Sequence, residues 1–290
     1  MSEKDSCLKK NERPGEKDFL KTYDINKYFR PSVSSDIVAV TIRNKEEENY
    51  RKESETSLSI LMIKRGKHPF KDCWALPGGF LRENESIEEC AFREIMEETN
   101  IKPISMKPVG IFSECGRDPR GRIISIAFTC IIHDGAEKIV GGDDAAEAKW
   151  FDIKLNVKED KYYLTLTCDD IKLSAALKET RSEFGAKRFE IVENDGFAFD
   201  HASIISTAIF DLRKDVLDFE ILFDFLPKKF TLYSLQKVQE TILDKAELAA
   251  NFRRKVADYV QETEEFTTGA GHRPAKLFMK AEKLKIYFKL

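Results

Sequence analysis

Three glutamates, Glu94, Glu97 and Glu98, follow Arg93 directly in the run Arg93-Glu-Ile-Met-Glu-Glu98. On an α-helix, where each residue turns about 100°, the three carboxylates share one face and Arg93 borders it. Like charges at i, i+3 and i+4 repel by roughly a few tenths of a kcal/mol per pair, and the helix dipole disfavours anions near its C-terminus. Arg93 offsets part of that charge. A hard divalent cation such as Mg²⁺ offsets more, because it takes several oxygen ligands and keeps its other positions for water and phosphate. Metal-assisted chemistry on phosphates is what this face can do.

The helix that carries the face is announced by Ser86 and Glu89, an S-x-x-E capping box that starts it and carries it to Thr99. Ala91, Phe92, Ile95 and Met96 fill a second arc and are expected to pack on a sheet. Ahead of it stand the double glycine Gly78-Gly79 and Glu85. Branched apolar runs predict strands at Asp36–Ile42 and Ser57–Lys64, then near Val109–Phe112, Ile123–Ile132 and Ala148–Ile153, so a mixed α/β layer arrangement is expected. Beyond Glu159 the pattern weakens, with a helix expected at Asp169–Phe184 and a strand at Lys187–Glu193. Helices are then expected at His201–Leu212, at Leu232–Leu243 behind Thr231, and at Ala246–Val260 with Leu248, Phe252, Val256 and Val260 on its apolar stripe.

The spacing G-x5-E-x7-R-E-x-x-E-E from Gly79 to Glu98 resembles the signature of the Nudix hydrolases. The resemblance implies an α/β/α sandwich with a mixed sheet, Mg²⁺ or Mn²⁺ as cofactor, and hydrolysis of nucleoside diphosphates linked to another group. It also implies that Gly79 shapes a loop, that Glu85 and Arg93 hold the motif together, and that Glu94, Glu97 and Glu98 bind metal, Glu97, Glu98 and Arg93 serving catalysis. One position departs: Asn100 stands where the family has glycine. Asn tolerates the left-handed backbone of a helix end, so the turn is expected to survive. Trp74–Phe80, Arg117–Gly121, Asp143–Glu147 and Trp150 are similar to the subset that acts on ADP-ribose. On that reading Gly78, Arg117 and Arg120, with Arg122, present substrate contacts suited to a diphosphate, and Glu147 is a candidate base outside the motif.

Ala198-Phe-Asp-His201, Leu226–Leu232, Asn251–Lys255 and Arg273-Pro-Ala275 are similar to the winged-helix module of Nudix-type regulators of NAD metabolism. Leu226–Leu290 holds thirteen Lys or Arg against eight Asp or Glu in a chain of net charge −3, a basic segment on an acidic body. Arg253, Arg254, Lys255 and Arg273, with His272 and Lys276, suit a recognition helix and a basic wing on double-stranded DNA. Four parts are expected: an extension at 1–33, a Nudix domain at 34–198, a linking helix at 199–222 and a winged helix-turn-helix domain at 223–290. The 290 residues are 42% hydrophobic and 34% charged, with no apolar stretch long enough to span a bilayer and no signal-peptide core, which predicts a cytoplasmic protein without membrane contact. Six scattered cysteines indicate neither a zinc site nor a disulfide framework. We expect a homodimer. Two functions compete: an ADP-ribose pyrophosphatase, and an ADP-ribose-sensing transcriptional regulator of NAD metabolism. Regulators of this resemblance often have an eroded motif, whereas every charged position is intact here, which favours the enzyme.

Overall fold

The computed structural model describes residues 15–44, 56–100, 102–133, 145–181, 187–267 and 274–282, the side chains of 145 and 146 excepted. Arg273, His272, Asp143 and Asp144 lie outside the described residues.

A short helix, α1 (Glu16–Thr22), precedes strands β1 (Ser32–Asn44) and β2 (Thr56–Arg65), the brief strands β3 (Trp74–Ala75) and β4 (Gly78–Phe80), and helix α2 (Ile87–Thr99). Strands β5 (Ser105–Phe112), β6 (Ile123–Ile131), β7 (Ala145–Lys158), β8 (Lys161–Cys168), β9 (Ile171–Arg181) and β10 (Lys187–Asp195) complete one sheet in the order β10-β9-β8-β7-β2-β1-β6-β5. Only β1 and β6 pair in parallel among these neighbours. Central strand β1 alternates its buried side chains between two layers. Ile37 and Ala39 meet Ala91 and Ile95 of α2, while Val38 and Val40 face the core under helix α3 (His201–Asp215). Burial on both faces explains why β1 reads as a continuous apolar run. Each fully buried Ile contributes roughly 1.5–3 kcal/mol. The expected α/β/α sandwich with a mixed sheet is what forms. Phe92, expected against the sheet, is exposed instead, and Cys90 and Thr99 take buried positions on α2.

The expected helix at Asp169–Phe184 is a correction, because Ile171–Arg181 is β9 and 182–184 lie outside the described residues. Its Ala, Leu, Lys and Glu favour helix, but Leu173, Ala175 and Leu177 are buried at a period of two, and pairing on both sides fixes the strand. Asp169-Asp170 is the two-residue loop of a hairpin, with Asp169 at φ 51°. Glu159-Asp160 forms another between β7 and β8, both residues at positive φ, the backbone of a tight hairpin turn.

The C-terminal domain comprises α4 (Leu232–Leu243), α5 (Ala249–Val256) and the hairpin of β11 (Val260–Phe266) and β12 (Lys276–Lys280), joined to Phe230 through a bridge with Phe278. Thr231 caps α4 as expected. Helix α5 is shorter than Ala246–Val260: Leu248 is its exposed N-cap, a 3₁₀ turn follows Val256, and Val260 begins a strand. Leu235, Val238, Ile242, Phe252 and Val256 share one core with α3 and the sheet. Arg213, near the end of α3, donates to the carbonyls of Ile242 (3.1 Å) and Leu155 (3.0 Å) and so ties both domains together. Among the described residues no helix is long and apolar enough to cross a membrane.

Candidate active site

Helix α2 begins with the predicted capping box, Ser86 and Glu89 exchanging hydrogen bonds with each other's backbone N–H. It ends at Asn100, whose φ of 55° is left-handed and whose N–H returns to the Met96 carbonyl. The turn survives the missing glycine. Arg93 is the hub of the helix's polar face. It donates to both Glu85 oxygens (2.9 and 2.7 Å), to Glu94 (2.5 Å), to Glu97 (3.1 Å) and to the Phe80 carbonyl (3.2 Å). These bonds hold the Arg93 guanidinium above its usual pKa and the Glu85 carboxyl down at about 2. Glu97 also receives Arg82 at 3.2 Å.

The double glycine makes room for this arrangement. A Cβ on Gly79 would lie 2.2 Å from Glu94 Oε1, and one on Gly78 would lie 2.2 Å from the Ser35 carbonyl oxygen. The Gly78 N–H donates to Glu98 Oε2 at 3.0 Å. Burial pushes the Glu98 carboxyl up to about 8, and the charges of Glu94 and Asp36 add to the effect against that hydrogen bond. Among the described residues no three carboxylate, histidine or cysteine groups converge into a ready metal cage. The expected set is therefore not preassembled: Arg93 holds Glu94 and Glu97, and Glu98 stands on the loop. The donor chemistry still fits a hard divalent cation. All groups are oxygen, and burial makes the Glu98 charge costly without a cation beside it.

The same loop lines a cleft together with Asp36, Arg65, Leu76, Arg117, Asp118, Arg120, Phe199 and His201. Arg117, expected on substrate, has a side chain only 5% exposed and donates to Asp200 (2.8 and 2.7 Å) and Asp36 (3.1 Å). Its guanidinium is committed to two carboxylates. Arg120 is 44% exposed, pairs with Asp118 at 2.7 Å and lies over the rings of Phe80 (5.1 Å) and Phe199 (5.4 Å). Arg65 sits over the other approach to Phe199 at 4.8 Å. Burial, and after it the charge of Arg120, lowers the Arg65 pKa. Arg122 donates to the Ser113 carbonyl. Glu147 pairs with Lys149 at 2.9 Å on β7 and is not among the cleft's lining residues.

Asp36, Arg65, Asp118 and Asp200 escaped the sequence reading. Asp36 offered one signal, a carboxylate leading an apolar strand. Burial alone would raise its pKa, but His201, Arg117 and the Ser125 hydroxyl (2.5 Å) hold it well below the usual carboxylate range. In the segment Ala198–His201, similar to the winged-helix regulators and expected to open the linking helix, Phe199 and His201 line this cleft. In the C-terminal domain Arg253, Arg254 and Lys255 are exposed on α5, Lys255 pairing with Glu247 and Arg254 contacting Asn251. On the hairpin, Lys276 pairs with Glu262, and β11 also carries Glu264 and Glu265; His272 and Arg273, expected on the wing, lie outside the described residues.

Residues 36–165 match the NUDIX domain family, and residues 222–279 match the NrtR DNA-binding winged helix domain. The chain is 48% identical over 99 residues to an ADP-ribose pyrophosphatase of Methanocaldococcus jannaschii, covering 34% of this chain and spanning 57% of that protein. It is 26% identical over 267 residues to the ADPR responsive transcriptional repressor NtrR of Acinetobacter baylyi, covering 91% of this chain and 87% of that protein. A MutT/nudix family protein from Enterococcus faecalis has a similar crystal structure, with a TM-score of 0.68 and 26% identity over 97% of this chain and 99% of that one.

Proposed function

The chain belongs to the Nudix family and carries an NrtR-type winged-helix domain, and from that premise we propose that it hydrolyses the diphosphate of ADP-ribose or a related nucleoside diphosphate derivative. One observation carries the reading: the loop whose Gly78 N–H holds Glu98 also lines a cleft that Arg65 and Arg120 line with it. Burial, and after it the charges of Glu94 and Asp36, raises the cost of ionising Glu98, while burial and the charge of Arg120 lower the Arg65 pKa. A divalent cation relieves the first and a diphosphate the second, and a metal-diphosphate ligand fits both.

Glu94, Glu97 and Glu98 would hold the ion, Mg²⁺ or Mn²⁺. When bound, it supplies Lewis-acid polarisation of the phosphate oxygens and an acidified water. Arg65 and Arg120 meet the diphosphate with planar donors, Arg120 being kept in place by the rings of Phe80 and Phe199. Arg117 serves by locking Asp36 and Asp200, and Arg93 by aligning Glu94 and Glu97. Hydrolysis of a panel of nucleoside diphosphate derivatives with and without Mg²⁺ tests the proposal. It predicts metal-dependent turnover with preference for ADP-ribose, giving AMP and ribose 5-phosphate.

A second reading is an ADP-ribose-responsive DNA-binding regulator. It is favoured by the match to the Acinetobacter repressor through both domains and by the exposed Arg253, Arg254 and Lys255 on α5. Both activities fit on one chain.

A further inference from the structure

We propose that His201, outside the segment matched to the Nudix family, is a positioning residue for Glu98: it accepts the Leu76 N–H and so holds the loop whose Gly78 N–H carries the Glu98 carboxylate. The proposal rests on the hydrolase reading above. The loop between β3 and β4 has few backbone bonds with which to hold its shape, because Pro77 has no N–H to give. Three bonds follow one another along it. Leu76 N–H donates to His201 Nδ1 at 2.8 Å, Ile37 N–H donates to the Pro77 carbonyl at 2.8 Å, and Gly78 N–H donates to Glu98 Oε2 at 3.0 Å. A Cβ on Gly78 would lie 2.2 Å from the Ser35 carbonyl oxygen, so the loop runs close over β1 and the backbone between Leu76 and Gly78 has little room to shift.

His201 is itself closely held. Its side chain is 5% exposed, and its Nε2 lies 3.5 Å from Asp36 Oδ1. Because Nδ1 accepts, the ring proton sits on Nε2 and faces that carboxylate, which fixes both tautomer and ring orientation. Asp36 is in turn set by Arg117 and Ser125. As the first residue of α3, His201 stands at one end of a helix whose Arg213 binds the Ile242 carbonyl of α4. The placement of a carboxylate on α2 thus depends on the helix that leads into the DNA-binding domain.

Two isosteric substitutions separate the imidazole's two nitrogens in the full-length protein. His201→Asn keeps an acceptor where Nδ1 stood and gives up the reach to Asp36, and His201→Gln keeps a donor toward Asp36 and gives up the acceptor. With ADP-ribose and Mg²⁺, we expect His201→Gln to lower kcat by about tenfold or more with KM within about threefold, and His201→Asn to stay near the parent. Amide hydrogen exchange at Leu76 and Gly78, read without metal or substrate, should quicken about tenfold in the Gln variant and stay near parental in the Asn variant. Parental exchange at both amides in His201→Gln, or equal effects of the two substitutions, overturns the proposal. A parent that turns over no nucleoside diphosphate sinks the hydrolase reading instead, and the exchange pattern then decides the anchoring role by itself.

Discussion

The two parts of the candidate site are built by different rules. The acidic motif comes from about twenty consecutive residues: loop, cap and helix α2 bring Glu85, Arg93, Glu94 and Glu98 together through bonds between near neighbours. The cleft wall beside it is gathered from β1, the end of β2, the loop before β6 and the start of α3, with Arg117 joining Asp36 to Asp200. A local motif is legible because its partners are near neighbours in the chain, whereas an assembled wall depends on ion pairs between distant segments that are costly to leave half made.

Breaking the assembled wall is expected to have the largest effect. Arg117→Ala strips Asp36 and Asp200 of their shared cation and should lower stability by about 3 kcal/mol, the low end of what a broken buried pair costs, since Ser125 and His201 still serve Asp36. Thermal unfolding checks it; an unchanged Tm would mean that the wall stands without its arginine. The local motif should behave otherwise. Glu98→Gln should keep the fold and lower kcat about a hundredfold, roughly 2.7 kcal/mol of transition-state stabilisation, as measured by steady-state turnover with saturating Mg²⁺. Near-parental turnover would remove Glu98 from the metal site.

Two smaller effects sharpen the contrast. Arg120→Ala, at the exposed mouth, should weaken ADP-ribose binding about tenfold by calorimetry, at a cost in stability of no more than about 1 kcal/mol, because Asp118 keeps the Arg120 backbone N–H. Arginines 117 and 120, alike in sequence, would then separate into one that folds and one that binds. In the other domain, replacing Arg253 and Arg254 by alanine should lower the slope of log K against log[salt] for duplex DNA by roughly 0.9 per phosphate contact, about 1.8 together, with hydrolysis unchanged.

The same contrast explains what could be read from sequence. The capping box at Ser86 and the shared face of the glutamates are encoded within one helix, so spacing reveals them, while the turn at Asn100 is read from the family resemblance and the tolerance of Asn for a left-handed backbone. Asp36, Arg65 and Asp200 carry no spacing rule, because their meeting depends on strand order. The Ala198–His201 run is legible only as a likeness to the winged-helix regulators, since no spacing rule tells that a helix N-terminus points back at the cleft. Strand β9 is hidden for the converse reason: its residues favour helix locally, and only the neighbours on both sides make it a strand.

Following ADP-ribose by ³¹P NMR with the full-length protein, in Mg²⁺ and again after chelation, tests the central claim most directly. The account predicts that the diphosphate signals give way to two phosphomonoester signals, those of AMP and ribose 5-phosphate, only when the metal is present. Intact diphosphate signals that broaden on binding but never convert, with Mg²⁺ or Mn²⁺ supplied, would contradict it and leave the cleft a sensor.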